Sequence, residues 1–179
     1  MGSTRYGSAT AAGVEYSIAD TSLRVGMVNE RGSFFGAPAQ GSFRFGDVNT
    51  VVFDAAHSFW LGSGWSLDAY GSLGLTRLGA GGNSLFTGGQ MLSSRYGVSF
   101  SGPISATERL SFGLAQPLTI EGGSLKLGVG TGYDLDRRAL VMGERSAEAR
   151  SPYRSMMFTG GYAKAWDAKS LRLGFAYDA

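Results

Sequence analysis

The chain contains one histidine and no cysteine, so its capacity for side-chain chemistry is narrow. His57 lies in Phe53-Asp54-Ala55-Ala56-His57-Ser58, where Asp, His and Ser come close in sequence. A nucleophilic triad needs those three groups to converge on one point. In an extended segment successive side chains point to opposite faces, so His57 opposes both Ser58 and Asp54. No Gly-Thr-Ser nucleophile motif accompanies them, and no catalytic residue is assigned; His57 reads as a strand-surface or rim residue. Without thiolates, and with a single imidazole, no metal site is assigned either. Gly128-x-Gly130-x-Gly132 superficially suits a phosphate loop, but alternation puts all three glycines on one strand face instead of in a turn opening a helix. No cofactor is expected. Asp136-Arg137-Arg138 and Glu144-Arg145 read as solvated loop charges. What remains is a set of charged and polar residues, Arg24, Asp68, Tyr70, Arg95, Arg109, Lys126 and Arg172, spread through alternating segments.

The elements that carry them alternate with period two. Over Trp65–Thr76, Trp65, Leu67, Ala69, Gly71, Leu73 and Leu75 share one face of a strand, and Ser66, Asp68, Tyr70 and Ser72 the other. The same pattern recurs around Leu23–Val28, Leu92–Phe100, Arg109–Ala115, Leu125–Asp134, Met156–Tyr162 and Leu171–Asp178. Turn signals at Asp20-Thr21, Asp47-Val48-Asn49, Gly62-Ser63-Gly64, Gly122-Gly123 and Asp167-Ala168-Lys169 predict short hairpin connections. Gly32–Gly41, Leu78–Gln90 and Asp136–Pro152 predict longer loops, and the four prolines are expected between strands. The expectation is an all-β, antiparallel up-and-down meander of roughly ten strands, between about eight and twelve. Residues 1–11 read as a cloning-derived start or linker, and 12–179 as one barrel domain.

Composition excludes several classes. At 179 residues the chain is one domain in size. With 29 glycines and only 17% charged residues it is neither a charged disordered chain nor a coiled coil. The net charge of +2 gives no electrostatic footprint for nucleic acid, and none is expected as a partner.

A long meander must manage its edges, and closure into a barrel removes them. A soluble barrel keeps its apolar face inside, whereas an outer-membrane barrel turns it to lipid around a polar lumen. The polar face here mixes both charge signs with small residues, which suits a tight lumen. Trp60, Trp65, Trp166, Tyr16, Tyr133 and Tyr177 fall at strand ends, as in the aromatic girdles of membrane barrels. Arg24, Asp68, Tyr70, Arg95, Arg109, Lys126 and Arg172 are therefore expected in the lumen. Leu67, Leu73, Leu75, Phe112, Leu125, Leu127, Leu173 and Phe175 are expected against lipid. The alternative is a soluble calycin-like barrel holding a small apolar ligand.

The runs Leu23–Gly36, Trp65–Gly74 and Arg109–Gly123 resemble the barrel region of alphaproteobacterial subtilisin-family autotransporters. The step Gln116-Pro117-Leu118 followed by Gly122-Gly123 carries most of the likeness. The resemblance implies an outer-membrane translocator barrel, inserted by the barrel-assembly machinery. It also implies a passenger in cis, a subtilisin-like protease outside this chain, that crosses during assembly. Two departures point to a shortened or trimmed member: the chain is short for twelve strands, and Ala179 stands where an aromatic residue commonly ends such barrels.

Overall fold

In a computed structural model, residues 8–34, 37–38, 41–82, 84–166 and 169–178 are described. Residues 1–7, Phe35-Gly36, Asp167-Ala168 and Ala179, which figure in the expectations above, lie outside them. The strands are β1 (Ser8–Ile18), β2 (Thr21–Arg31), β3 (Ser33–Phe34), β4 (Ala37–Pro38), β5 (Phe45–Gly62), β6 (Trp65–Ala80), β7 (Phe86–Ser105), β8 (Glu108–Asp134), β9 (Ala139–Glu148), β10 (Met157–Trp166) and β11 (Lys169–Asp178). The only helical turn among the described residues is Gly41–Phe43. The fold is all-β and antiparallel, as the alternation predicts. β3 and β4 form a small ribbon, and β1 begins at Ser8, ahead of the expected boundary at residue 12.

The main sheet has nine strands in the order β1-β2-β5-β6-β7-β8-β10-β11, with β9 also paired to β8. β9 and β10 lie end to end along one edge of β8 in a single register. Ser124 pairs with Glu148, and continuing that register predicts Ala115 opposite Met157, which is the observed pair. Between them the chain stays beside β8, with Ala149 N–H donating to Gly123 O at 3.1 Å and Ser151 N–H to Ile120 O at 2.9 Å. The nine strands therefore occupy eight rows.

Several expected breaks are not breaks. Gly122-Gly123 is no hairpin turn, because β8 runs unbroken for 27 residues. Asp47-Val48-Asn49 lies within β5, and most of Leu78–Gln90 belongs to β6 and β7. Asp136–Pro152 contains β9. Pro38, Pro103 and Pro117 sit in strands, not between them. Pro117 is tolerated because Pro117 and Leu118 together stand opposite Arg95, a bulge where the ladder is already interrupted. A second bulge, at Glu121, follows where Ser93–Ile120 pairing shifts to Leu92–Gly122.

Consecutive strands meet at one rim through connections of two residues, after Ile18, Gly62, Ser105 and Trp166. At Ser63-Gly64 both residues have positive φ (52° and 78°), the mirror-image turn whose twist fits a two-residue hairpin. All three tryptophans lie at this rim. One perpendicular row crosses the whole sheet from Ile18 through Thr21, His57, Ala69, Val98, Leu114 and Phe158 to Tyr177. It starts at the rim and climbs away from it. Ala69 is four residues into β6, Leu114 six into β8 and Tyr177 eight into β11.

The exposed surface, 12477 Å², is half again the roughly 8,300 Å² a compact monomer of this mass would show. Among the described residues no second sheet or helical layer packs on this one. The apolar core is a small cluster of Val48, Leu78, Met91 and Ala149, with Phe34, Phe45, Ile120 and Leu125 packed against it.

Candidate functional site

The chemistry of this protein lies in the two faces of its sheet. The inner face is the one that buries Thr50, Ser66, Thr76 and Ser93. Near the rim of short turns it is polar. Arg24 binds Glu15 at 2.5 Å, and Arg95 reaches Asp54 at 3.4 Å. Register puts these groups in one row, Glu15, Arg24, Asp54, Ser72 and Arg95, so positive and negative charges alternate across neighbouring strands. Directly opposed unlike charges favour such pairing. One row nearer the rim, Tyr70 covers Gly97, where a Cβ would come within 2.8 Å of its ring. Nearer still, Ser58 Oγ donates to Asp68 Oδ1 at 2.6 Å. Arg109 and Arg172 flank Ala163 on the same face.

The outer face over the same span is apolar and open across β2, β5 and β6. Where β7 meets β8 it carries a buried polar cluster of Ser94, Gln116 and Thr119, with Gln116 Nε2 donating to Ser94 Oγ at 3.3 Å and Ser94 Oγ to Glu121. Leu73, Leu75, Phe112, Leu173 and Phe175 are 49–65% exposed, and Leu67 shares the face of Leu73. Val25, Phe53 and Leu73 form one row, and Met27, Val51, Leu75 and Leu92 the next. At the rim the Trp65 ring stacks on Phe100 at 4.6 Å, and Trp60 Nε1 donates to Asp20 at 2.9 Å.

Both faces change character farther from the rim. The next outer row reads Asn29, Asn49, Arg77, Gln90, Ser124 and Glu148, without one apolar side chain. Asn29 Nδ2 donates to Asn49 Oδ1 at 2.6 Å within it. Just beyond that row the inner face becomes mostly apolar, with Val48 opposite Leu78 and Gly89 between Leu78 and Leu125, while Glu30, opposite Val48, is buried and accepts from Ser33 Oγ at 3.3 Å. Phe45 stacks on Phe86 at 4.6 Å above them.

This inversion corrects three expected assignments. Leu125 and Leu127 belong to the inner face, not to the lipid-facing set. Leu125 packs on the Val48 cluster, and Leu127 lies opposite Phe86. Lys126 points outward and binds Glu144 at 2.9 Å, so it leaves the lumen set. The expectation placed a hairpin at Gly122-Gly123. With β8 continuous, its two bulges cancel, and Leu125 shares the face of Arg109 and Ser111.

Sequence reasoning missed Glu15 and Asp54 in the charge row, while Ser72 was already on the polar face of its strand. Glu15 was within reach, since a two-residue turn at Ala19-Asp20 puts it opposite Arg24. The polar outer row was not, because its members come from six separate segments. Among the described residues no cluster of His, Asp and Glu could hold a metal ion. Among the described residues no helix is long and apolar enough to cross a membrane, which says nothing of strands. No family model, curated protein or solved structure matches the chain.

Proposed function

We propose that this chain is an outer-membrane β-barrel that anchors a passenger carried in cis, with no enzymatic activity of its own. The observation that carries the reading is the reversal of polarity on both faces at one level of the sheet. A water-soluble sheet has no reason to turn Leu, Val and Phe outward over a polar inner face. Hydrocarbon rewards that arrangement, and it rewards backbone groups paired strand to strand. The apolar stretch of β6, Leu67 to Leu75, matches the 9–11 residues that cross a bilayer as a tilted strand. The polar row above it suits a headgroup boundary, and the three tryptophans suit the opposite interface. Longer connections at one end and short turns at the other follow the asymmetry of such barrels. Eight rows leave a lumen that side chains fill, so the passenger crosses before closure, during assembly. The barrel-assembly machinery and outer-membrane lipid are the partners this requires.

The soluble-barrel alternative needs an apolar interior along the whole sheet. Here the apolar interior is confined to the far end and packed with side chains.

The test uses the chain's lack of cysteine. Single Leu73→Cys, Ser72→Cys and Arg77→Cys variants are labelled with a fluorophore and folded into bilayers with brominated acyl chains. Quenching at position 73, and little at 72 or 77, is expected. Equal absence of quenching at all three, in folded and bilayer-associated protein, removes the reading.

A further inference from the structure

We propose that β11 closes on β1 of the same chain in one defined register, with Lys169 opposite Ile18, Arg172 opposite Glu15 and Tyr177 opposite Thr10. The inference rests on the barrel reading above and adds its seam. β1 and β11 are the terminal strands of the hydrogen-bonded order, and every residue of both is exposed. Because the sheet has eight rows, its first and last strands run antiparallel and can pair as neighbours.

The stagger selects the register. The perpendicular row that leaves β1 at Ile18 arrives at Tyr177, while the strand of β11 nearest the rim begins at Lys169. Closure that keeps both rim ends together therefore slides β11 by eight residues, from 177 to 169. An eight-residue slide over eight strands tilts them by about 35°, within the 35–45° that barrel closure requires. A slide of ten gives about 41° and is geometrically open too. Charge and length decide between them. The eight-residue slide pairs all ten residues of β11 and sets Arg172 against Glu15. The ten-residue slide sets Arg172 against Gly13 and Glu15 against Ser170. In the proposed register the row of Glu15, Arg24, Asp54 and Arg95 extends across the seam to Arg172.

Both faces continue through the joint. Gly13 and Ala11 meet Gly174 and Ala176 on the inner side, and Val14 and Ala12 meet Leu173 and Phe175 on the outer. Edge pairing with a second copy would leave the steady climb of the row without a role, whereas closure of one chain requires it.

Paired cysteines test this in the full chain folded into bilayers. Ser17→Cys with Ser170→Cys reports the eight-residue slide, and Glu15→Cys with Ser170→Cys the ten-residue one. Ser17→Cys with Ser22→Cys, an observed pair of β1 and β2, controls for folding and oxidation. Under mild oxidation the 17/170 pair is expected to form an intramolecular disulfide at least tenfold faster than 15/170. Faster reaction of 15/170 overturns the register, and disulfide-linked dimers alone overturn closure within one chain. Reaction of the control with neither seam pair overturns closure altogether. A seam that cross-links in protein showing no lipid quenching leaves closure standing and removes the membrane reading.

Discussion

Two regions share the same strands and use opposite rules. Near the rim of short turns, β5, β6 and β7 present Phe53, Leu73 and Val98 outward and Asp54, Ser72 and Ser99 inward. Just beyond Asn49 and Arg77, β5 and β6 turn Val48 and Leu78 inward, and β7 adds Met91 to the same cluster from the row on the rim side of Gln90. Period-two alternation persists throughout, so the backbone does not distinguish the regions. The surroundings do. The far region is built like an ordinary small core, with side chains removed from water by one another. The near region leaves its apolar side chains for something else to cover. On the proposed reading a single strand passes through two solvents, and its composition changes where the solvent does.

Removing apolar volume should hurt most in the far region. Leu78→Ala empties part of the Val48–Met91 cluster and is expected to cost roughly 2–5 kcal/mol, equally in detergent and in bilayers. A cost that appears only in lipid would break the comparison, because it would make this cluster part of the lipid-facing band. Leu73→Arg should cost roughly 2–4 kcal/mol in bilayers if the site lies near the midplane. Reversible urea unfolding of wild type and variant measures both changes. An equal cost for Leu73→Arg in lipid-free buffer would assign the outer face to a soluble core. Ser58→Ala deprives Asp68 of its 2.6 Å donor and should cost roughly 1–3 kcal/mol, with the Asp68→Asn variant partly insensitive to the same change. Full insensitivity of the wild type to Ser58→Ala would mean that water, not protein, satisfies Asp68. The smallest effect is expected at the boundary, where Gln90→Arg should stay within about 0.5 kcal/mol. Matching Leu73→Arg there would move the boundary beyond β7's polar row.

The fold class was legible because alternation is a local property. Leu67, Ala69, Gly71, Leu73 and Leu75 announce a strand without reference to any partner, and so do Leu171, Leu173, Phe175 and Tyr177. The two-residue turn at Ser63-Gly64 was equally local, since it depends on a backbone twist that glycine permits. The inner placements of Asp68 and Arg95 followed from the same alternation, because no bulge interrupts β6 or the half of β7 beside it.

Glycine pairs and prolines misled for a physical reason. Gly122-Gly123 and Pro117 end most strands, but here β7 on one side and the Ala149–Ser151 segment on the other hold β8 extended through them. Local propensity, worth about 1 kcal/mol, yields to neighbours that supply hydrogen bonds on both edges. The assignments of Leu125, Lys126 and Leu127 fell with that turn.

The sequence by itself determined that the chain forms long alternating strands joined by tight turns, and that one face of each is apolar. Those are consequences of side chains pointing to opposite sides of an extended backbone, and need no partner. Only the tertiary structure decided that β9 and β10 are one row, that two bulges in β8 cancel, and that six polar residues from distant segments stand in line. Register between strands is fixed by where bulges fall and which edges meet, and a shift of one residue carries a side chain from one face to the other.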